Sequence, residues 1–88
     1  MAEDQVKRAN RRLLLVDDDI ELGELITEYL EPEGFQVDVV NDGRQGLEGA
    51  LGGGYALVIL DVMMPALNGF DVLRAIRSRS AVPVLMLT

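Results

Sequence analysis

Two residue types that supply much of the chemistry in proteins are missing from this chain. Its 88 residues include no cysteine and no histidine, which excludes disulfides, thiolate metal sites and imidazole catalysis. Any metal ligation or catalysis must therefore use carboxylates, hydroxyls and backbone groups.

Long apolar runs and positive charge are also scarce. The apolar runs are too short to span a membrane, and the first twelve residues, MAEDQVKRANRR, lack the apolar core of a signal peptide. The 15 acidic residues outnumber the eight basic ones, for a formal net charge of -7, so there is no basic face for nucleic acid. We expect a cytoplasmic protein that contacts neither membrane nor DNA through this segment.

The chain is short enough for one domain only. Residues 1–11 show no hydrophobic periodicity and are predicted to form a flexible N-terminal arm. Residues 12–88 are predicted to form the domain.

Hydrophobic patterns in residues 12–88 predict alternating strands and helices. Apolar runs predict strands, and apolar residues at helical spacing predict helices between them. The second strand alternates apolar with polar residues, which is typical of a sheet edge. The predicted strands lie at 13–16, 35–39, 56–60 and 82–87, and the helices at 22–30, 42–51 and 68–79.

The order β-α-β-α-β-α-β indicates parallel strands joined by right-handed crossovers. The predicted fold class is therefore α/β, an open parallel sheet with helices on both faces.

Polar residues follow three of the predicted strands. Asp17 and Asp18 end the first strand, Asp61 the third and Thr88 the fourth. Ligands of open parallel sheets bind beyond the carboxyl ends of the strands, where these side chains should meet. Oxygen ligands without histidine or cysteine favour magnesium, manganese or calcium. Asp19 instead suits the N-cap of the following helix.

Such a metal site can also bind a phosphoryl group. Magnesium keeps several waters and uses few protein carboxylates, which leaves room for a phosphoryl group, and a carboxylate there can become an aspartyl phosphate. Composition does not decide which acid that is. An EF-hand loop starting at Asp17 is disfavoured because Leu22 occupies the position that requires glycine.

Three segments, LLLVDDD, VILDVMMPALNGFDVL and PVLMLT, resemble in order and spacing the receiver domain of bacterial two-component response regulators, in the class with a winged-helix DNA-binding output domain. The resemblance spans residues 12–88. It implies the flavodoxin-like receiver fold with strand order 2-1-3-4.

The resemblance also implies a role for each site residue. Asp61 would be the phosphoacceptor and Thr88 the switch hydroxyl. Magnesium would be bound by Asp18, by Asp17 mainly through water, by Asp61 and by the backbone carbonyl of Met63. The implied partners are a sensor histidine kinase and a DNA-binding output domain, and the implied protein is a phosphorylated switch instead of a classical enzyme.

The family's fifth strand, its lysine and its last helices have no counterpart up to Thr88, so we expect an incomplete receiver domain. One alternative is an inert fragment, or one that self-associates or exchanges strands through an uncovered fourth strand. Another is a haloacid-dehalogenase-like phosphatase fragment, because LLLVDDDI also fits that family's opening motif with Asp17 as nucleophile.

Overall fold

The computed structural model describes residues 10–65 and 67–87. Most of the predicted N-terminal arm, residues 1–9, and the predicted switch residue Thr88 lie outside these ranges. Four strands alternate with three α-helices, and a short 3-10 helix, Glu31–Glu33, follows the first. The elements are β1 Arg12–Val16, α1 Ile20–Leu30, β2 Gln36–Val40, α2 Gly43–Gly52, β3 Leu57–Asp61, α3 Gly69–Arg77 and β4 Val84–Leu87.

The four strands form one parallel sheet in the order β2-β1-β3-β4. Leu13 of β1 pairs with Val37 on one side and Leu57 on the other. β2 is an edge strand, as its alternating pattern predicted. The predicted α/β class and the order 2-1-3-4 are confirmed.

Each face of the sheet has its own hydrophobic core, because successive side chains of a strand point to opposite faces. One core combines β1 and β3 with residues of α2 and α3, and the other combines β1, β2 and β3 with α1. Fully burying one such aliphatic side chain contributes roughly 1.5–3 kcal/mol. The buried residues are Leu14, Val16, Ala50, Val58, Leu60, Met64, Val72 and Ile76 in the first core, and Leu13, Leu15, Val37 and Ile59 in the second.

Each helix begins at a side chain that accepts a hydrogen bond from its first turn. Asp19 accepts from the Leu22 N–H at 3.1 Å, Asp42 from the Gln45 N–H at 2.7 Å, and Asn68 in the same way caps α3. Such a cap contributes about 1 kcal/mol. The predicted cap role of Asp19 is confirmed.

Gly46 lets α2 lie unusually close to β1. A Cβ atom at this position would be 2.6 Å from Cγ1 of Val16, closer than real Cβ contacts. The residue therefore weakens the helix intrinsically but permits its packing against the sheet.

Adjacent arginines fix the amino end of β1 from both faces of the sheet. The guanidinium of Arg11 lies 4.7 Å from the centroid of the Phe35 ring and donates to the carbonyls of Glu33 and Gly34, both at 3.1 Å. The guanidinium of Arg12 lies 4.6 Å from the centroid of the Tyr55 ring. Both contacts lie at the end of the sheet opposite to Asp17.

Arg12 belongs to a polar network on its side of the sheet. It donates to the carbonyl of Gly53 and to Asp38 at 3.3 Å, and Asp38 also accepts from the Tyr55 hydroxyl at 2.7 Å. Burial, reinforced by the hydrogen bond to Asp38, raises the pKa of Tyr55 above its usual value of 10.0. The network ties β1, β2 and the α2–β3 loop together.

None of the helices in residues 10–65 and 67–87 is long and apolar enough to cross a membrane.

Candidate metal-binding site

Three carboxylates meet at the carboxyl end of the sheet. Asp17 and Asp18 directly follow β1, and Asp61 is the last residue of β3, the strand next to it. One oxygen from each of the three lies within 4.8 Å of the others. The structure thus brings Asp61 beside Asp17 and Asp18, which precede it by more than 40 residues in sequence.

The three acids differ in exposure. Asp17 is only 3% exposed, Asp61 is half-buried and Asp18 is exposed. Burial raises the pKa of the Asp17 carboxyl, and the charges of Asp61, Asp18 and Asp19 act in the same direction. The Asp19 N–H, which donates to Asp17 Oδ1 at 2.9 Å, opposes the rise. A bound cation would offset the cost of ionising this cluster.

A hydrogen bond from its own loop orients Asp61. Asp61 Oδ1 accepts from the Met63 N–H at 3.0 Å, which fixes the carboxylate relative to the first turn after β3. The Met63 side chain is 77% exposed, whereas Met64 is buried in the core. The loop is therefore held by Met64, and Met63 is left at the surface beside the carboxylates.

Gly69 closes this loop back onto the end of β3. Its N–H donates to the carbonyl of Val62 at 2.9 Å. A Cβ atom there would lie 2.8 Å from the Cα of Val62 and closer still to the carbonyl oxygen of Asp61. Only glycine fits against the backbone of Asp61, which is the physical reason for a glycine eight residues after Asp61 in the segment VILDVMMPALNGFDVL.

The sequence analysis missed Asn41. Its side-chain amide donates to the carbonyl of Asp17 at 3.0 Å, and the Asp17 N–H donates to the carbonyl of Val40 at 3.1 Å. These bonds hold Asp17 from the β2 side. The available signal was a polar residue two positions after the predicted strand at 35–39.

The carboxyl end of β4 lies next to that of β3. The N–H of Val62 donates to the carbonyl of Leu87 at 3.0 Å. Thr88 follows Leu87 but lies outside the described residues, so its predicted role remains a prediction.

The structure also disfavours an EF-hand at Asp17. The strand β1 precedes Asp17, where an EF-hand needs a helix.

The fold and the acid cluster define an open α/β domain with a carboxylate site at the carboxyl end of its parallel sheet, and the sequence places the chain in a family. The model of the response regulator receiver domain matches residues 13–88. The chain belongs to that family, and its resemblance to receiver domains is confirmed.

Among curated proteins, the chain is similar to the transcriptional regulatory protein CpxR homolog of Haemophilus influenzae. The two are 57% identical over 77 residues, which are 88% of this chain and 34% of that protein. The chain thus spans about a third of the length of this relative.

Two solved structures are similar to the whole described fold. The receiver domain of the sensor histidine kinase PA1611 from Pseudomonas aeruginosa, solved with a magnesium ion coordinated in its active site cleft, has a TM-score of 0.84 and 30% identity over 90% of this chain and 67% of that one. The response regulator TrrA of Thermotoga maritima, in complex with the histidine kinase ThkA, has a TM-score of 0.80 and 37% identity over 88% of this chain and 67% of that one.

Proposed function

We propose that this receiver domain accepts a phosphoryl group on Asp61, with magnesium held by Asp18, Asp61 and the backbone carbonyl of Met63, and with Asp17 acting mainly through water. The observation that carries the proposal is the meeting of three carboxylates within 4.8 Å. An all-oxygen set with few protein ligands fits magnesium. A solved receiver domain similar to this chain holds magnesium in its active site cleft.

In this proposal, Asp61 acts as the nucleophile of a phosphoryl transfer. A carboxylate oxygen of Asp61 attacks the phosphorus of a phosphohistidine or of a small phosphodonor. The new bond is P–O, the bond that breaks is P–N or the donor's own P–O bond, and the electron pair leaves with the donor. Bound magnesium would supply neutralisation of the charge shared by the carboxylates and the phosphoryl oxygens.

Asp61 is suited to this role by position. It is half-buried at the mouth of the cluster, whereas Asp17 is 3% exposed. The Met63 N–H holds one of its oxygens. Asp17 is held from two sides, by the Asp19 N–H and through the Asn41 amide, and is suited to a fixed supporting role.

The donor in this proposal is the phosphohistidine of a cytoplasmic sensor-kinase domain. In a longer protein the output would be a DNA-binding domain, and Thr88 would be the hydroxyl that responds to the phosphoryl group. A similar regulator has been solved bound to a histidine kinase, and the similar H. influenzae protein is a transcriptional regulatory protein. The role is that of a switch instead of a metabolic enzyme.

The test is intact mass after incubation with acetyl phosphate and magnesium. We expect the wild type to gain the mass of one acid-labile phosphoryl group, Asp61→Asn to gain none, and Asp17→Asn to gain it more slowly. Asp19→Asn is the matched control, because asparagine caps a helix as well as aspartate does, and it should react like the wild type.

The alternatives give different outcomes. An adduct lost only in Asp17→Asn would favour the phosphatase-type site, and no adduct in the wild type would favour an inert fragment. A self-associating fragment is tested by sedimentation of the 88-residue chain over a range of concentrations. The observation behind that test is that β4 is the outermost strand of the described sheet on its side, with Leu85 52% exposed.

A further inference from the structure

The three carboxylates of the site are held unequally by the protein. Asp17 Oδ1 accepts the Asp19 N–H at 2.9 Å, and Asp61 Oδ1 accepts the Met63 N–H at 3.0 Å. The exposed carboxylate of Asp18 accepts no hydrogen bond from another described residue and forms no ion pair with one. The position of the Asp18 carboxylate therefore depends on the backbone that carries it.

That backbone includes the peptide unit between Asp17 and Asp18. The unit is rigid and planar, so the direction of its carbonyl is coupled to the backbone angle φ of Asp18 and hence to the direction of the Asp18 side chain. The carbonyl accepts the side-chain amide N–H of Asn41 at 3.0 Å. In the described part of the chain, no other group forms a hydrogen bond with this peptide unit. Asn41 is therefore the group that fixes its orientation.

The register of the sheet brings Asn41 to this peptide unit. Val16 of β1 is the partner of Val40 of β2, so the residues that follow them in the two parallel strands, Asp17 and Asn41, lie side by side. The Asp17 N–H donates to the carbonyl of Val40 at 3.1 Å. The bond from Asn41 thus forms between two segments that the sheet already holds together, so little further backbone entropy is lost in forming it.

We propose that Asn41 is a positioning residue of the metal site. It fixes the peptide unit between Asp17 and Asp18 and so holds the Asp18 carboxylate in place to bind a divalent cation. The inference rests on the proposed function, because it takes Asp18 as a direct ligand. Groups outside the coordination sphere that orient a metal ligand raise metal affinity in this way. Asn41 itself is uncharged and acts here only through Asp18.

Removal of the Asn41 amide tests this role. In NMR titrations of the folded protein, we expect Asn41→Ala to bind Mg²⁺ roughly three- to tenfold more weakly than the wild type, the effect of losing one hydrogen bond. Gln45→Ala is the matched control, because Gln45 carries the same amide group and is exposed in the first turn of α2. Its Mg²⁺ affinity should stay within about twofold of the wild type.

The metal-free protein supplies a second measurement, which a general loss of stability would not reproduce. A carbonyl carbon is deshielded by a hydrogen bond that its oxygen accepts. We therefore expect the carbonyl ¹³C signal of Asp17 to move to lower frequency in Asn41→Ala and to stay in place in Gln45→Ala.

A double-mutant cycle shows whether Asn41 acts through Asp18. Mn²⁺ binds to the same kinds of oxygen ligand, and its paramagnetism broadens nearby NMR signals at low occupancy, so weak binding can be measured with it. In the Asp18→Asn background, Asn41→Ala should weaken Mn²⁺ binding by less than about twofold, because the ligand that Asn41 positions has already been removed.

Four results would overturn the inference. These are Mg²⁺ affinity that Asn41→Ala leaves unchanged, an equal loss in Gln45→Ala, an unmoved Asp17 carbonyl signal, and a cost of Asn41→Ala that is undiminished in the Asp18→Asn background. A wild type that binds no Mg²⁺ would overturn the proposed function and this inference with it. Wild-type binding that Asn41→Ala does not weaken would overturn the inference alone.

Discussion

Asp17 is a buried acid whose surroundings oppose its ionisation. It is 3% exposed, and Asp18 and Asp61 each place an oxygen within 4.8 Å of one of its own. Its pKa is raised, chiefly by burial, so the folded state binds this proton more tightly than the unfolded chain does. Ionisation of Asp17 therefore lowers the free energy of unfolding of the metal-free protein at neutral pH.

We expect Asp17→Asn to raise the free energy of unfolding at neutral pH without magnesium. The sign follows from linkage: between the ordinary pKa of 3.8 and the raised folded value, the folded state holds more protons. Stability of the wild type therefore falls as pH rises through this window. Asparagine keeps the Oδ1 acceptor for the Asp19 N–H and removes the charge.

Urea unfolding at several pH values in the presence of EDTA measures this effect. The stability of Asp17→Asn should decline less with pH than that of the wild type, while Asp19→Asn should follow the wild type more closely. A variant that is less stable than the wild type at neutral pH would contradict the electrostatic account.

The acids of this site could be predicted from sequence because each directly follows a buried strand. The unequal burial of these acids could not be predicted from sequence, because it depends on which strands lie beside β1. Asn41 was missed for the same reason. Its bond to the Asp17 carbonyl exists only because β2 lies beside β1 in the sheet.

At the scale of elements, the helix propensity of α2 and its packing against β1 favour different residues at the same position. Gly46 costs about 1 kcal/mol relative to alanine in a helix, yet its missing Cβ is what allows Val16 to approach. Gly52, the last residue of the same helix, has nothing within 4 Å of its hypothetical Cβ.

We expect Gly46→Ala to destabilise the protein by about 1–3 kcal/mol, the usual range for overpacking, because the β-branched Val16 cannot turn away easily. Gly52→Ala should be neutral or stabilising by up to about 1 kcal/mol. Thermal or urea unfolding of both variants measures the difference. Equal effects of the two substitutions would show that helix propensity, and not the contact with Val16, decides the role of Gly46.

The helix starts were predictable because capping is local. Asp19, Asp42 and Asn68 each accept from a residue three positions ahead. The reason for Gly46 in α2 could not be predicted from local sequence, because it lies in the facing strand at Val16.

At the scale of the whole molecule, the acidic net charge of -7 and the proposed binding of a divalent cation should be coupled. A ligand that binds only the folded state at 100 times its dissociation constant adds about 2.7 kcal/mol to stability. For a domain of this size, 1 kcal/mol corresponds to about 4–8 °C in melting temperature.

Magnesium at saturating concentration should therefore raise the melting temperature by roughly 10 °C or more. Asp18→Asn should lose most of this gain, because Asp18 is an exposed member of the cluster, and Asp42→Asn should retain it. Differential scanning calorimetry with sodium chloride at matched ionic strength separates binding from screening. An equal rise with sodium chloride alone would contradict a specific magnesium site.

The class of fold followed from the alternation of strands and helices, which forces parallel pairing. The order of the strands did not follow from periodicity and came from the family resemblance. The role of Thr88 remains a prediction because this residue lies outside the described residues. Self-association of this chain remains one because the structure describes a single chain.

Arg11, directly before β1, and Arg12, its first residue, affect the far end of that strand. Arg11 and Arg12 are bound on opposite faces, to Phe35 and Tyr55, so a shift of β1 by one residue would send each to the face of the other. The same shift would exchange the buried Asp17 for its exposed neighbour. The two stacked arginines, roughly 17 Å away, thus favour the register in which Asp17 is the buried acid of the site and Asp18 the exposed one.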